Sequence, residues 1–179
     1  GIIVNGSLYT GKSGFSGEIG HMSYFQNEVL CHCGKKGCLE TEVSGSALLR
    51  IVKEHLAKGE QSILSQKAKE SDLTLADILD ALDKEDTLCI DCISQMGEKL
   101  GRFLSGMINI FNPEKLIIGG ELSRDGGYIT QTVRKSIKKY AMHLVSEDSA
   151  IENSKLKEKA GVIGAAMIAR SKLFINDYL

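Results

Sequence analysis

Three thiols lie within eight positions in Cys31-His32-Cys33-Gly34-Lys35-Lys36-Gly37-Cys38, and His21 precedes the first of them by ten residues. Thiolate sulfur and imidazole nitrogen are the donors that zinc prefers. A Cys3His set is a full tetrahedral complement and leaves no position for a catalytic water. The spacing therefore predicts a structural zinc site held by His21, Cys31, Cys33 and Cys38. His32 is a competing donor, but its direct bond to Cys31 makes coordination by both awkward, which favours His21. Gly34 and Gly37 suit a chain that wraps tightly around an ion, where positive φ is often needed. The plain alternative is a set of reduced cysteines in a surface loop. A Cys/His zinc site is worth roughly 10–16 kcal/mol, against a total domain stability of roughly 5–15 kcal/mol. Loss of the metal should then disorder the whole segment 14–45. The remaining two of the five cysteines, Cys89 and Cys92, sit at i and i+3 of a helical pattern and read as small buried residues.

The elements that must position these donors can be read from periodicity. Ile2-Ile3-Val4-Asn5-Gly6 is a β-branched run closed by Asn-Gly, and with the short segment before Thr10-Gly11 it predicts a hairpin. Residues 14–45 are rich in Gly, Ser and Cys and lack clear periodicity. From Ser46 the pattern turns helical, with Leu48, Leu49, Ile51, Val52 and Leu56 on one stripe. Leu75, Ile78, Leu79 and Leu82 follow a capping Thr74 and its partner Asp77. A long helix is expected over 87–111, with Ile90, Ile93, Leu100, Leu104 and Ile108 on its apolar face, ended by Asn112-Pro113. Lys115-Leu116-Ile117-Ile118 reads as a buried strand, followed by Gly119-Gly120, a helix over about 127–143 and a small-residue helix over 161–175. Gly97-x-x-x-Gly101 on the long helix would let a neighbouring backbone approach closely.

The 179 residues suffice for one domain of mixed α/β character. With 42% apolar and 25% charged residues, disorder is not expected. Twenty-two Lys+Arg against 23 Asp+Glu gives a formal net charge of −1, which supplies neither a duplex-sized basic surface nor a polybasic membrane anchor. Arg134, Lys135, Lys138 and Lys139 read as a solvated helix face rather than a DNA patch. The longest charge-free runs fall short of the roughly 18–20 residues that span a bilayer. Three clustered thiols point to a reducing compartment, so a cytoplasmic location without membrane attachment is expected. The chain opens with Gly1 rather than Met, and reads as a piece of a longer protein.

Taken together, Gly17-Glu18-Ile19-Gly20-His21 and Cys31-x-Cys33-Gly34-x-x-Gly37-Cys38-x-Glu40 resemble the signature of the ROK family, which groups bacterial repressors with sugar kinases. The resemblance runs on through Asn112-Pro113-Glu114-x-Leu116-Ile117-Ile118-Gly119-Gly120 to Gly161-x-x-Gly164-Ala165-Ala166, and is most like the N-acetylglucosamine and xylose repressors. It implies a ribonuclease H-like, actin-like fold, with 1–179 as the C-terminal lobe of a two-lobed protein. That lobe would comprise a zinc and sugar segment (14–45), a helical region (46–112), a nucleotide-type strand, loop and helix (115–143) and a closing helix. By the same resemblance Glu18, His21 and Glu40 would bind a small sugar or sugar phosphate. Carboxylates accept hydrogen bonds from sugar hydroxyls, and a fixed imidazole adds directional polarity. Helices such as 87–111 can contribute to dimer contacts in the family, so a homo-oligomer, dimer or tetramer, is expected, with intramolecular packing of the glycines equally open.

The resemblance also implies that a glycine-rich phosphate loop and a catalytic aspartate belong to an N-terminal lobe that these residues do not supply, so this segment alone should carry no catalytic residue and phosphorylate nothing. Gly119 and Gly120 would contact nucleotide in a kinase, with ATP and Mg2+ as cofactors, yet Glu121 brings a negative charge where polyphosphate would sit. The acidic insertion over 59–86 also resembles the repressors. The expectation is therefore the sugar-binding and oligomerisation lobe of a transcriptional regulator whose upstream helix-turn-helix binds operator DNA. The alternative is the matching lobe of an ATP-dependent hexose or amino-sugar kinase.

Overall fold

The computed structural model describes residues 1–124, 126–156 and 159–174. Strands β1 (Ile3–Val4) and β2 (Ser7–Leu8) form the expected hairpin, with Ile3 opposite Leu8 and Val4 opposite Ser7. Asn5 and Gly6 carry φ of 50° and 77°, the left-handed pair that a two-residue type I′ turn needs. Beyond it the chain runs to Leu39 with little regular structure. It holds one 3-10 turn, Ile19–His21, and two isolated bridges, Ser23 to Cys38 and Leu30 to Lys36.

The helical region begins with a single turn, α1 (Glu40–Val43), and continues as α2 (Gly45–Ala57), where the Ser44 hydroxyl caps by accepting the Ala47 N–H at 3.1 Å. A short α3 (Lys67–Glu70), not anticipated from periodicity, leads to α4 (Leu75–Asp83), which carries the predicted capping box of Thr74 and Asp77. Helix α5 spans Thr87–Phe111, as the sequence predicts, and stops where Asn112 turns to φ 40° ahead of Pro113. Leu48, Val52, Ile78, Leu82, Ile93, Met96 and Ile108 are fully buried at the contacts of α2, α4 and α5. Each such side chain contributes about 1.5–3 kcal/mol by leaving water. Buried Asp86 fastens the loop after α2 to this core: its carboxylate accepts the N–H groups of Cys89 at 3.0 Å and Ile63 at 2.9 Å. Cys89 and Cys92 are buried in the first turns of α5, and burial raises both thiols well above their ordinary range, Cys92 to about 11.

Strand β3 (Lys115–Ile118) pairs in parallel with β4 (Ala150–Asn153), in register from Lys115 with Ala150 to Ile118 with Asn153. Between them lie α6 (Tyr128–Tyr140) and α7 (His143–Asp148). Two expectations need correction here. The strand is not buried throughout: Ile118 is, whereas Ile117 is 61% exposed, because this two-stranded sheet is open on one face. The helix expected to reach 143 ends at Tyr140, since Ala141 is extended and Met142 donates its N–H to the Asn109 side chain at 3.0 Å. The final helix, α8, covers Ala160–Phe174, and the expected residue 175 lies outside the described residues.

The glycine pair of α5 serves packing within the chain. A Cβ on Gly97 would stand 2.9 Å from Thr132 Cβ, and one on Gly101 would stand 2.5 Å from Ser136 Cβ and 2.9 Å from the Val133 carbonyl, all on α6. The close approach is used further by Ser136, whose hydroxyl donates to the Glu98 carbonyl at 2.9 Å. Part of the basic face of α6 is engaged within the chain: Arg134 Nε donates to the Ile151 carbonyl at 3.0 Å, while Lys138 and Lys139 pair with Glu147 and Glu98. Gly101→Ala should therefore lower stability by about 1–3 kcal/mol through overpacking. Gly106→Ala, where a Cβ meets no atom within 4 Å, should be neutral or stabilising by up to about 1 kcal/mol. Urea unfolding of both variants checks the contrast.

Candidate functional site

Segment 19–40 is shaped by a few backbone bonds rather than by a sheet or helix. Tyr24 and Phe25 both donate N–H to the Gly37 carbonyl, at 2.8 and 3.0 Å, and Leu39 donates to Met22 at 3.0 Å. Gly37 has φ 76°, and a Cβ there would lie 2.2 Å from the Phe25 carbonyl oxygen, so no other residue fits. The knuckle between Cys31 and Cys38 closes through Cys31 N–H to Lys35 O at 2.8 Å and Gly34 N–H to Cys31 O at 2.9 Å.

These bonds gather His21, Cys31, Cys33 and Cys38 so that their donor atoms all lie within 4.8 Å of one another. His21 Nδ1 stands 3.5 Å from Cys31 Sγ, and Cys33 Sγ stands 3.5 Å from Cys38 Sγ. Tetrahedral zinc, with bonds of about 2.3 Å to sulfur and about 2.0 Å to nitrogen, keeps its donors about 3.5–3.8 Å apart. The cluster is thus compatible with a four-coordinate metal in type and in spacing. His32 is exposed and outside the cluster, whereas His21 belongs to it. Cys31 and Cys38 are buried and Cys33 is exposed. Burial, with the neighbouring sulfurs, pushes the metal-free Cys38 thiol up to about 12, whereas a hydrogen bond from the Lys35 backbone lowers Cys33.

The residues expected at a sugar site meet on the same imidazole. Glu18 Oε2 lies 3.9 Å from His21 Nε2, and Glu40 Oε2 lies 3.4 Å from Nδ1. Glu40 is reached by the Cys31 thiol, which donates to Oε2 at 3.7 Å. Glu18 precedes the 3-10 turn that carries His21, and Glu40 opens α1, directly after Cys38 and Leu39. The three side chains are partly exposed and form a polar patch against the cysteine cluster. Gly119 and Gly120 occupy a separate position at the carboxyl end of β3. Gly120 has φ 84° with open space around its Cβ direction, and Glu121, itself exposed, starts a 3-10 turn, Glu121–Arg124. Beside the end of β4 lies a pocket of about 400 Å³, lined by Thr130, Gln131, Arg134, Asn153 and Lys155 among others. Neither glycine lines it.

Asn27 and Glu42 belong to none of the motifs described above. The structure buries the Glu42 carboxylate among Asn27, Arg50 and Lys99, behind the helix that carries Glu40. Its only sequence signal is a second acidic residue two places after Glu40.

The family profile of ROK proteins matches residues 1–172. The chain belongs to the ROK family. The xylose repressor of Caldicellulosiruptor bescii is 34% identical to it over 180 residues, which is 99% of this chain and 45% of the repressor. Among solved structures, a ROK family transcriptional regulator homologous to the E. coli MLC protein superposes with a TM-score of 0.83 at 32% identity, over 96% of this chain and 42% of the regulator. A ROK glucokinase from Streptomyces griseus, in complex with glucose and AMPPNP, also gives 0.83, at 27% identity, over 94% of this chain and 56% of the kinase. The α/β fold is therefore that of the actin-like ATPase and sugar-kinase proteins to which ROK regulators and kinases belong. The chain spans about half the length of the relatives it matches. Among the described residues no helix is long and apolar enough to cross a membrane.

Exposure and thiol acidity point the same way for reactivity. In the metal-free chain at neutral pH, iodoacetamide should modify Cys33 first, because the thiolate is the nucleophile and a lowered pKa populates it at lower pH. Cys89 and Cys92, buried in α5, should react only after unfolding. Peptide mass mapping over a labelling time course reads the order.

Proposed function

We propose that this ROK chain is the sugar-binding and oligomerisation lobe of a transcriptional regulator, with a structural zinc ion at His21, Cys31, Cys33 and Cys38. The observation that carries the sugar reading is the shared imidazole: His21 turns Nδ1 toward Cys31 and Nε2 toward Glu18. One ring can thus be fixed on its cysteine side and offer the other nitrogen to a ligand. When bound, zinc supplies positioning, holding the ring and the Cys38-to-Glu40 segment. Glu18 and Glu40 accept hydrogen bonds from sugar hydroxyls on either side of that ring. The choice of regulator is supported by Glu121, an exposed carboxylate directly after Gly120. A polyphosphate there would meet like charge.

Kinase action is the second reading, and the open Gly119-Gly120 turn at a parallel strand end favours it, since ligands of such sheets gather at the carboxyl ends of strands. In that case ATP and Mg2+ would be the cofactors. Both readings make residues 1–179 the C-terminal lobe of a two-lobed, oligomeric protein whose site closes against the other lobe. Helix α8 supports this. Val162 is 76% and Met167 55% exposed, and apolar side chains face outward on every side of it. A helix apolar all round is normally covered. For the regulator, operator DNA would be bound upstream and the protein would work in the cytoplasm.

Zinc analysis should find one ion per chain, and Cys33→Ser should lose it with faster amide exchange over 17–45; full metal content in that variant would refute the site. In the intact protein, calorimetric titration with glucose and xylose should show one that binds, and Glu40→Gln should weaken it at least tenfold, the loss of about 1.4 kcal/mol that one charged hydrogen bond supplies. ATP-dependent phosphorylation of a hexose, without specific DNA binding, would replace the regulator by the kinase.

A further inference from the structure

Helix α1 is one turn long, too short to hold its own direction in water, yet it carries Glu40. Successive residues of a helix are about 100° apart, so side chains two positions apart point to nearly opposite sides. Whatever anchors Glu42 inward therefore aims Glu40 outward, toward His21. Glu42 is anchored from three directions. Its Oε1 accepts Asn27 Nδ2 at 2.7 Å and faces Arg50 Nη2 at 3.5 Å, and its Oε2 pairs with Lys99 on α5. The side chain is only 12% exposed. Arg50 also donates to the Thr41 carbonyl at 2.9 Å and divides its charge with Glu54, at 2.8 Å. Lys99 lies 5.9 Å from the Phe25 ring, which stacks edge-on with Tyr24, itself edge-on to Phe103 of α5.

Asn27 is the link from this junction to the arm that delivers Cys31. Its amide nitrogen reaches both Glu42 and Thr41 Oγ1, at 3.3 Å, and its Oδ1 accepts the Val29 N–H at 3.3 Å. Thr41 in turn donates its hydroxyl to the Cys38 carbonyl at 2.7 Å. Both flanks of the cysteine knuckle, the entry through residues 27–29 and the exit through Cys38, are thus tied to the same point on the helical body.

We propose that Glu42 and Asn27 form a positioning clamp that fixes the direction of Glu40 and the approach of Cys31 against α2 and α5. Neither residue touches the ligand. The assignment rests on the sugar and zinc reading of the neighbouring residues and adds to it the pair that sets their geometry.

The test uses the complete chain loaded with Co2+, whose sulfur charge-transfer and d–d bands report the donor geometry. Asn27→Asp places a carboxylate against Glu42, and Glu42→Gln removes the ion pairs. Each should leave the helical melting curve within a few degrees of the parent, release Co2+ to EDTA at least fivefold faster, and raise amide exchange over 24–31. The double variant Asn27→Asp with Glu42→Gln exchanges donor and acceptor and restores a single negative charge beside Lys99 and Arg50. It should return release and exchange most of the way to the parent. Parental release and spectra in both single variants, or no recovery in the double variant, would overturn the clamp. Failure of the parent to bind Co2+ would instead remove the metal reading. The exchange of 24–31 in metal-free single and double variants then decides the clamp alone, faster exchange with recovery supporting it and unchanged exchange refuting it.

Discussion

Four soft donors within 4.8 Å of one another are a costly arrangement for a chain to make without a cation between them. Thiolates at that distance repel, and thiols kept neutral must lose water, as the rise of Cys38 to about 12 shows. A divalent ion reverses both penalties, because it replaces the protons and draws the sulfurs together. Segment 19–40 has almost no ladder or helical hydrogen bonding of its own, so on the proposed zinc reading coordination would add to the order that its few backbone bonds begin. On that reading the position of His21 would depend on it, and with His21 the placement of Glu18 and Glu40.

The helical body supplies what the donor cluster cannot. A metal centre fixes distances among its own ligands but not the orientation of the whole knuckle relative to the protein. That orientation comes from buried contacts: Leu39 enters the core immediately after Cys38, and α1 is bound to α2 and α5 through Glu42. Helix α5 is in turn held against α6 by contacts so close that Gly97 and Gly101 admit no side chain. A short polar site thus rests on a rigid helical pair several elements away in sequence. The small residues of α5 belong to that support.

What could be read from sequence follows from how local each signal is. The hairpin at Asn5-Gly6, the capping box of Thr74 and Asp77, and the stop of α5 at Asn112-Pro113 depend on backbone preferences within a few residues, and each stands where expected. The cysteine spacing likewise showed which donors meet, because ligand type and loop length restrict the choices severely. Exposure of Ile117 was not legible: an apolar run looks the same whether its second face is covered or open, and only the two-stranded sheet distinguishes them. The break at Ala141 depends on a long-range bond from Met142 to Asn109. The role of Glu42 was hidden for a similar reason, since its partners at positions 27, 50 and 99 become neighbours only after folding.

The same fold serves ROK regulators and ROK glucokinases with equal superposition over the part that this chain spans, so within that part the difference between them lies in a few groups rather than in architecture. Sugar recognition asks for directed hydrogen bonds, which the His21, Glu18 and Glu40 patch can supply regardless of what happens afterwards. Phosphoryl transfer asks in addition for concentrated positive charge or N–H dipoles around a polyanion. At the end of β3 the chain offers an open glycine turn, which would meet that demand, followed at once by the carboxylate of Glu121, which opposes it. On the proposed regulator reading, a binding lobe that keeps its sugar groups while weakening its phosphate site would still convert sugar occupancy into a change of lobe position. That conversion needs only differential contact between ligand and the two lobes, and the exposed apolar surface of α8 is the kind of surface through which such movement would be felt.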